Sequence, residues 1–282
     1  MDKKENAPRY GGRALRNGVM MVGPKAIAVA VRKPDGTIET AVEPFEMRGQ
    51  WAKDIPFVRG LVSFVGMLGM AKTAGKLERQ LTPGRGFQNM LPQLAPGLGV
   101  TLADRLAREL GKRSEGRMIV PIEALTGVAI PFLAFGVSGQ MPGVRELWRY
   151  HGAEHKAVNA AEAGLELTAV NAQTMSRVHP RCGTVMAFWG LLGGMIAKGQ
   201  IERMPNGTRK AVFGALSGPL VMATAYEAVR LGAQLKDHPL GKWLFSPAWQ
   251  TQRLTTAEPG EDELEVAVAA LQAVIDFEKA EA

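Results

Sequence analysis

The rhythm of apolar and polar positions changes twice along the chain. From Gly11 to about Glu46 it is that of strands. Ala26-Ile-Ala-Val-Ala-Val-Arg32 is an apolar run with β-branched residues, Lys33-Pro-Asp-Gly36 is a turn, and Thr37-Ile-Glu-Thr-Ala-Val42 alternates. The pattern predicts a β-hairpin. A lone hairpin is marginal in water, so it is expected to pair with the preceding segment, Gly11 to Pro24, or to pack on another element. From Ile55 the pattern turns helical and apolar. Leu61 to Ala71 is rich in Gly, Met and Phe, and Lys72 interrupts it well short of the ~20 residues that span a bilayer. That run predicts an interfacial or buried helix. Residues 82–100 form a Pro- and Gly-rich connection, and Leu102 to Lys112 predicts a charged amphipathic helix.

Three later stretches are more membranous. Met118 to Ser138 carries only Glu123, Val185 to Ala197 is uncharged, and Ala211 to Leu231 carries Glu227 and Arg230 only at its end. The last two contain Gly190-xxx-Gly194 and Gly214-xxx-Gly218, a small-residue spacing that lets membrane helices approach closely. Buried helices of a soluble α-protein would also fit, but the scarcity of charge favours spans. Beyond them, Trp243 to Trp249 is aromatic and Pro-containing, suited to an interfacial anchor. Leu264 to Glu281 predicts an amphipathic soluble helix with apolar positions at 264, 268, 271, 274 and 275, started by Thr256 or an acidic residue. The expected fold class is mainly α, a multi-span helical membrane protein with a small N-terminal β-hairpin element and a C-terminal amphipathic helix. Its segments are a soluble 1–54, a membrane-associated 55–231 and a soluble helical 232–282.

Composition sharpens this picture only slightly. Lysine and arginine outnumber acids 34 to 27, giving a net charge of +7 and a pI near 9.6. Such a balance suits an anionic membrane surface or nucleic acid. No basic stripe interleaved with aromatics is present, which makes nucleic acid the weaker partner class. The single cysteine excludes an internal disulfide framework. Met1 to Tyr10 is polar, without the apolar core of a signal peptide, so the N-terminus is expected in the cytoplasm.

The chemistry is concentrated between residues 151 and 182. His151-Gly-Ala-Glu154-His155 is followed by His179-Pro-Arg-Cys182, together holding three of the four histidines and the only cysteine. These residue types hold zinc or a similar borderline divalent ion. On a helix, His151 and His155 lie one turn apart with Glu154 beside them. The His-x-x-Glu-His order resembles the inverted zincin motif, in which two histidines bind zinc and the glutamate is the general base. Adding His179 and Cys182 would complete a tetrahedral shell. A four-ligand protein shell is a structural arrangement, whereas a catalytic ion needs an open position, and both readings stand at this point. The histidines could also serve as hydrogen-bonded helix and loop residues without any metal. Glu162 is a further carboxylate candidate, although a solvated helix face suits it better. Arg149, Lys156 and Arg181 flank the cluster, either to hold an anionic substrate or lipid head group or to mark a membrane interface. Glu123 and Glu227 are functional candidates if their stretches span. His238, beside a proline turn, reads as a surface histidine.

Several longer motifs, in order, resemble the YqhQ family of bacterial membrane proteins, whose members are described as predicted metal-dependent enzymes. They are Gly11-Gly-Arg-Ala-Leu-Arg-Asn-Gly-Val-Met-Met-Val-Gly-Pro24, Val29-Ala-Val-Arg-Lys-Pro-Asp-Gly36 and Pro56-Phe-Val-Arg-Gly60. They continue with Tyr150-His-Gly-Ala-Glu-His-Lys156, His179-Pro-Arg-Cys-Gly-Thr184, Gln252-Arg-Leu-Thr-Thr-Ala-Glu-Pro259 and Glu263-Leu-Glu-Val-Ala-Val-Ala-Ala-Leu271. The resemblance implies a multi-pass cytoplasmic-membrane protein with soluble ends, and metal ligation by His151, His155, His179 and Cys182 with Glu154 beside them. This chain departs from the family in the interval before His151, which holds the Pro/Gly connection and the charged helix instead of longer apolar segments. Three or four spans follow. With three, the loop 139–181 faces outward. With four, the favoured count, the N-terminus, that loop and the C-terminus all lie in the cytoplasm. The function expected is a metal-dependent, hydrolase-like membrane enzyme with Glu154 catalytic. The alternative is a non-enzymatic membrane factor, a scaffold or a biogenesis or quality-control component, with a structural metal site. Its partners would be the lipid bilayer and a membrane protein or a second copy of itself.

Overall fold

The computed structural model describes residues 10–46, 49–83, 101, 105, 109 and 119–281. The charged helix expected over 102–112 and nearly all of the 82–100 connection lie outside these residues, as does the side chain of Glu123. The elements are four strands, β1 (Gly11–Leu15), β2 (Gly18–Val22), β3 (Ala26–Arg32) and β4 (Ile38–Pro44), followed by helices. The helices are α1 (Val58–Leu81), α2 (Ile119–Ser138), α3 (Pro142–Glu162), α4 (Ala169–Gln173), α5 (Gly183–Arg203), α6 (Thr208–Gln234), α7 (Pro239–Gln250) and α8 (Glu261–Ala280). The chain is therefore mainly helical, with an N-terminal antiparallel sheet in the order β1-β2-β3-β4.

The hairpin expected from the sequence is β3–β4, and the segment before it supplies β1 and β2 of the same sheet. Its turn is closed by the Lys33 amide donating to the Thr37 carbonyl at 2.8 Å and by Asp35, whose carboxylate accepts from the Thr37 amide and hydroxyl. Gly36 sits there at φ +86°, a conformation side chains disfavour. β3, an apolar run in the sequence, is buried on both faces. Ala26, Ala28 and Ala30 face a core built with α3 and α8, while Ile27, Val29 and Val31 face Ala74, Leu77 and Leu81 of α1. Small residues on one face let α8 lie close to the sheet, and branched residues on the other fill the space under α1. The sheet is thus a sandwiched layer, and contacts cross the segment boundaries expected at residues 54 and 231.

α8 is the central core helix rather than a detached C-terminal one. Leu264, Leu271 and Val274 are buried in the sheet core, each side chain contributing about 1.5–3 kcal/mol by removal from water. The helix starts after Gly260, whose amide donates to Glu263 Oε2 at 2.7 Å. Arg32 reaches across from β3 to the Glu265 carboxylate at 2.6 Å. Thr256, one expected starter of this helix, is buried and donates to the Gln252 carbonyl at 2.8 Å.

α1 runs on through Lys72 to Leu81, so one helix joins two environments. Its C-terminal half lies under the sheet, and its N-terminal half lies on α6. There Gly60 leaves room for close approach, since a Cβ would come within 3.1 Å of the Ala223 Cα. Arg59 forms a two-pronged ion pair with Glu227, which also accepts the amide of Phe57 at 2.9 Å. The charge that interrupts α6 is therefore matched by the Pro56-Phe-Val-Arg-Gly60 motif. Among the described residues, α6 is the one helix long and apolar enough to cross a membrane by itself, and only 11 % of that window is buried. Residues Gly127–Ser138 and Gly143–Glu162 pass the same test only as a pair, bent by 105°. A Cβ added at Gly190, Gly194, Gly214 or Gly218 would meet nothing within 4 Å, so among the described residues none of the four is a point of close helix contact.

Replacing Ile27 with Ala should lower unfolding free energy by about 2–5 kcal/mol, because the cavity under α1 cannot collapse against a rigid sheet. Chemical denaturation beside Val42→Ala, an exposed position on the neighbouring strand, checks this.

Candidate metal centre

α3 carries the His-Gly-Ala-Glu-His motif, and its first turn opens on Pro142, a residue suited to that position. His151 and His155 fall one turn apart on the inner face, with ring centroids 4.5 Å apart. Cys182 arrives from the opposite side as the N-cap of α5, its sulfur accepting the Thr184 amide at 3.3 Å. The three donor atoms of His151, His155 and Cys182 lie within 4.8 Å of one another, and His151 Nε2 is 3.4 Å from Cys182 Sγ.

The orientation of the two rings is fixed from behind. His151 Nδ1 donates to the Thr255 carbonyl at 2.8 Å, and His155 Nδ1 donates to the Arg177 carbonyl at 2.6 Å. A carbonyl can only accept, so each Nδ1 carries a proton, and each Nε2 is left on the side of the sulfur. Metal-binding histidines are held in this way, with the far nitrogen donating to a backbone carbonyl. The donor set therefore fits a borderline divalent ion of the zinc class.

Electrostatics in the cluster are coupled. Burial opposes charge on His155, but the Cys182 thiolate and Glu154 outweigh it and raise the imidazolium to about 9. Burial likewise opposes the thiolate, yet His155 and His151 hold Cys182 well below the usual thiol range. The start of α5 adds its dipole in the same direction. Sequence and fold thus place a thiolate where an ion or an imidazolium must balance it.

Glu154 is 5 % exposed, and its Oε2 lies 3.6 Å from His155 Nε2, beside the three-donor group but not part of it. Gly12 of β1 makes room for it, since a Cβ there would come within 2.8 Å of Glu154 Cγ. His179 is buried nearby, 6.0 Å from His155 between ring centroids, but is otherwise engaged. Its Nε2 donates to Glu162 at 3.4 Å, and its Nδ1 accepts the Arg181 amide at 3.4 Å. Burial raises Glu162, but the hydrogen bond from His179 and the charges of His179 and Arg181 prevail, lowering it to about 2. Of the four sequence-predicted ligands, the structure brings three together and turns the fourth toward Glu162. Glu162 is accordingly an ion-pair partner of Arg181 rather than a solvated face.

The flanking cations are engaged within the chain. Lys156 is buried and binds the Gln173 carbonyl and Glu258, and Arg149 lies 3.7 Å from Glu263. His238 caps α7 at the surface, accepting the Leu240 amide. The sequence reading missed the strap from Gln252 to Pro259. Gln252, wholly buried, clamps His179 through both its amide and its carbonyl, and Thr255 orients His151. The strap crosses α3 at Gly152, where a Cβ would overlap the Ala257 carbonyl oxygen, and Ala257 donates to the Trp148 carbonyl at 2.8 Å. The Thr-Thr pair could have signalled this, being polar residues ahead of a helix they do not cap.

With this geometry in view, comparison places the chain in a family. It belongs to the family described as "Protein of unknown function (DUF1385)", which matches residues 55–277. It is also 27 % identical over 305 aligned residues to "Uncharacterized protein YqhQ" of Bacillus subtilis (strain 168), covering 99 % of this chain and 96 % of that protein. No solved structure matches it.

Gly152→Ala should push the strap off α3 and release the Thr255 carbonyl from His151. Zinc affinity, read by competition with a chromophoric chelator, is expected to fall roughly 10- to 100-fold. Gly143→Ala, on the same helix with open space around it, should leave affinity unchanged.

Proposed function

We propose that the chain is a membrane-associated, metal-dependent enzyme of hydrolase type. In this reading His151, His155 and Cys182 hold a divalent ion, zinc by the chemistry of the donors, and Glu154 is the general base. The observation that carries it is the pair of Nδ1–carbonyl bonds, which leave both Nε2 atoms beside one cysteine sulfur. Three protein donors leave a tetrahedral ion one open position, the hallmark of catalytic rather than structural sites. When bound, such an ion supplies Lewis acidity toward water or a carbonyl group.

The residues of the chain divide the remaining work. Glu154, buried beside His155 but outside the donor group, can take a proton without giving up a ligand position. His179 and Glu162 form a separate hydrogen-bonded pair. For His179 to act as a fourth ligand, its Nε2 would have to leave Glu162. The low exposure of the cluster keeps competing water out, which strengthens each charge interaction.

Membrane association rests on α6, whose apolar window stays largely unburied, and on exposed Leu133, Val137, Leu216, Leu220 and Trp243. We place α6, α5 and α2 in or against the cytoplasmic membrane in a multi-pass arrangement, with the sheet, α8 and the α3 helix that packs on them in the cytoplasm. A lipid ester or a membrane peptide suits that location as substrate. A second reading, a scaffold or biogenesis factor with a structural metal, is favoured by one observation. The donors staple α3 to the start of α5, and the strap ties both to the C-terminal part, as a purely structural ion would require.

Elemental analysis of detergent-purified protein should find stoichiometric zinc, lost in Cys182→Ser. Glu154→Gln should keep both zinc and the unfolding midpoint while hydrolysis of fluorogenic acyl esters or peptides falls about 10²–10⁴-fold. Metal-free wild type would overturn both readings. A Glu154→Gln protein that fully supports growth in place of the wild type would select the scaffold.

A further inference from the structure

A trough of about 1060 Å³ runs between α1 and the end of β4, lined on one side by Glu43, Phe45, Glu46 and Trp51. It shares no residue with the metal-ligating group. Along α1 its lining follows one helical stripe that changes character midway. Leu61 and Val65 with Trp51 form an apolar half, and Lys72, Lys76 and Arg79 form a cationic half. Val65 and Trp51 are 66 % and 71 % exposed, so nothing within the described chain covers the apolar half.

The charges at the other end do not cancel. Glu43 pairs with Lys76, which leaves Lys72 and Arg79 facing Glu46 as the remaining acid of the lining. Among the described residues no carboxylate pairs with either of these two cations. A site for a small anion would not need the apolar half, and a surface for an apolar peptide would not place two cations without carboxylate partners at one end. The combination selects an amphiphile with a negative head.

Position strengthens the choice. The N-terminal half of α1 packs on α6 through Gly60 and Arg59, while its C-terminal half lies under the sheet. The apolar half of the trough therefore sits level with the helix whose surface is apolar and uncovered, and the cationic half sits beside the soluble layer. From Leu61 to Arg79 the stripe measures about 27 Å at the helical rise of about 1.5 Å per residue. One lipid leaflet, head group included, is about 20–22 Å deep.

The geometry points to a binding site for an anionic glycerophospholipid, with its acyl chain along Trp51, Leu61 and Val65 and its phosphate at Lys72 and Arg79. The proposal goes beyond the metal chemistry and depends on membrane association only for the source of the lipid.

The test titrates detergent-solubilised full-length protein with phosphatidylglycerol or phosphatidylcholine of identical acyl chains, counting retained lipid by native mass spectrometry. Zinc content is measured on the same samples. Wild type should retain phosphatidylglycerol in preference to phosphatidylcholine. Lys72→Gln/Arg79→Gln should reduce phosphatidylglycerol retention roughly ten- to thirtyfold, the loss of two interfacial cations, and leave phosphatidylcholine unchanged. Val65→Asp should reduce both lipids. Equal retention of the two lipids by wild type, or an unchanged double variant, overturns the proposal. So does a chain dimer that Val65→Asp dissolves without altering lipid retention, since a second copy would then fill the trough. Zinc equal to wild type in these variants separates this outcome from any failure of the metal reading.

Discussion

Two backbone carbonyls determine what the centre of this molecule can do. Thr255 and Arg177 each accept the Nδ1 proton of one imidazole, and this decides which nitrogen of His151 and of His155 is free. Without those acceptors the rings could flip or exchange tautomers, and a thiolate buried opposite them would lack a partner. Much of the surrounding structure serves to hold the carbonyls still. Gln252 clamps the backbone at His179, Asn159 donates to the carbonyls of Ser176 and Val178, and Arg177 donates to the carbonyl of Thr256. Segments remote in sequence are thus tied to α3 through its polar side chains rather than through apolar packing alone.

The sheet and α8 provide the rigid base for that arrangement. Gly12 on β1 leaves room for Glu154, so the most N-terminal strand helps to shape the surroundings of the central carboxylate. α8 fills the sheet face beside α3 and anchors the strap that precedes it. The Arg59–Glu227 pair performs a comparable service at the other end of the molecule, letting a carboxylate persist in an otherwise apolar helix.

The turn at Lys33–Gly36, the helical phase of His151 and His155, and the apolar character of α6 were all legible in the sequence, because each is a local pattern. The central donors were legible too, since few residue types bind borderline ions. What the sequence concealed is relational. β3 reads as an apolar run, but which of its faces meets α1 and which meets α3 and α8 depends on partners remote in sequence. His179 has the right chemistry for a ligand, but its bond to Glu162 depends on a loop path that spacing does not encode. Lys156 reads as a free cation and proves buried, because Glu258 arrives from a hundred residues downstream. For membrane spans, length and apolar character must both qualify, and among the described residues α6 is the one helix that meets both by itself.

The acceptor for His151 lies 104 positions after it. During synthesis the imidazoles and the thiol leave the ribosome long before Thr255 exists, so the cluster begins life with one of its rings unanchored. Maturation of the site therefore comes late and is gated by docking of the strap from Gln252 to Pro259. A chain cut short before residue 252 would retain every donor atom and still be unable to set them.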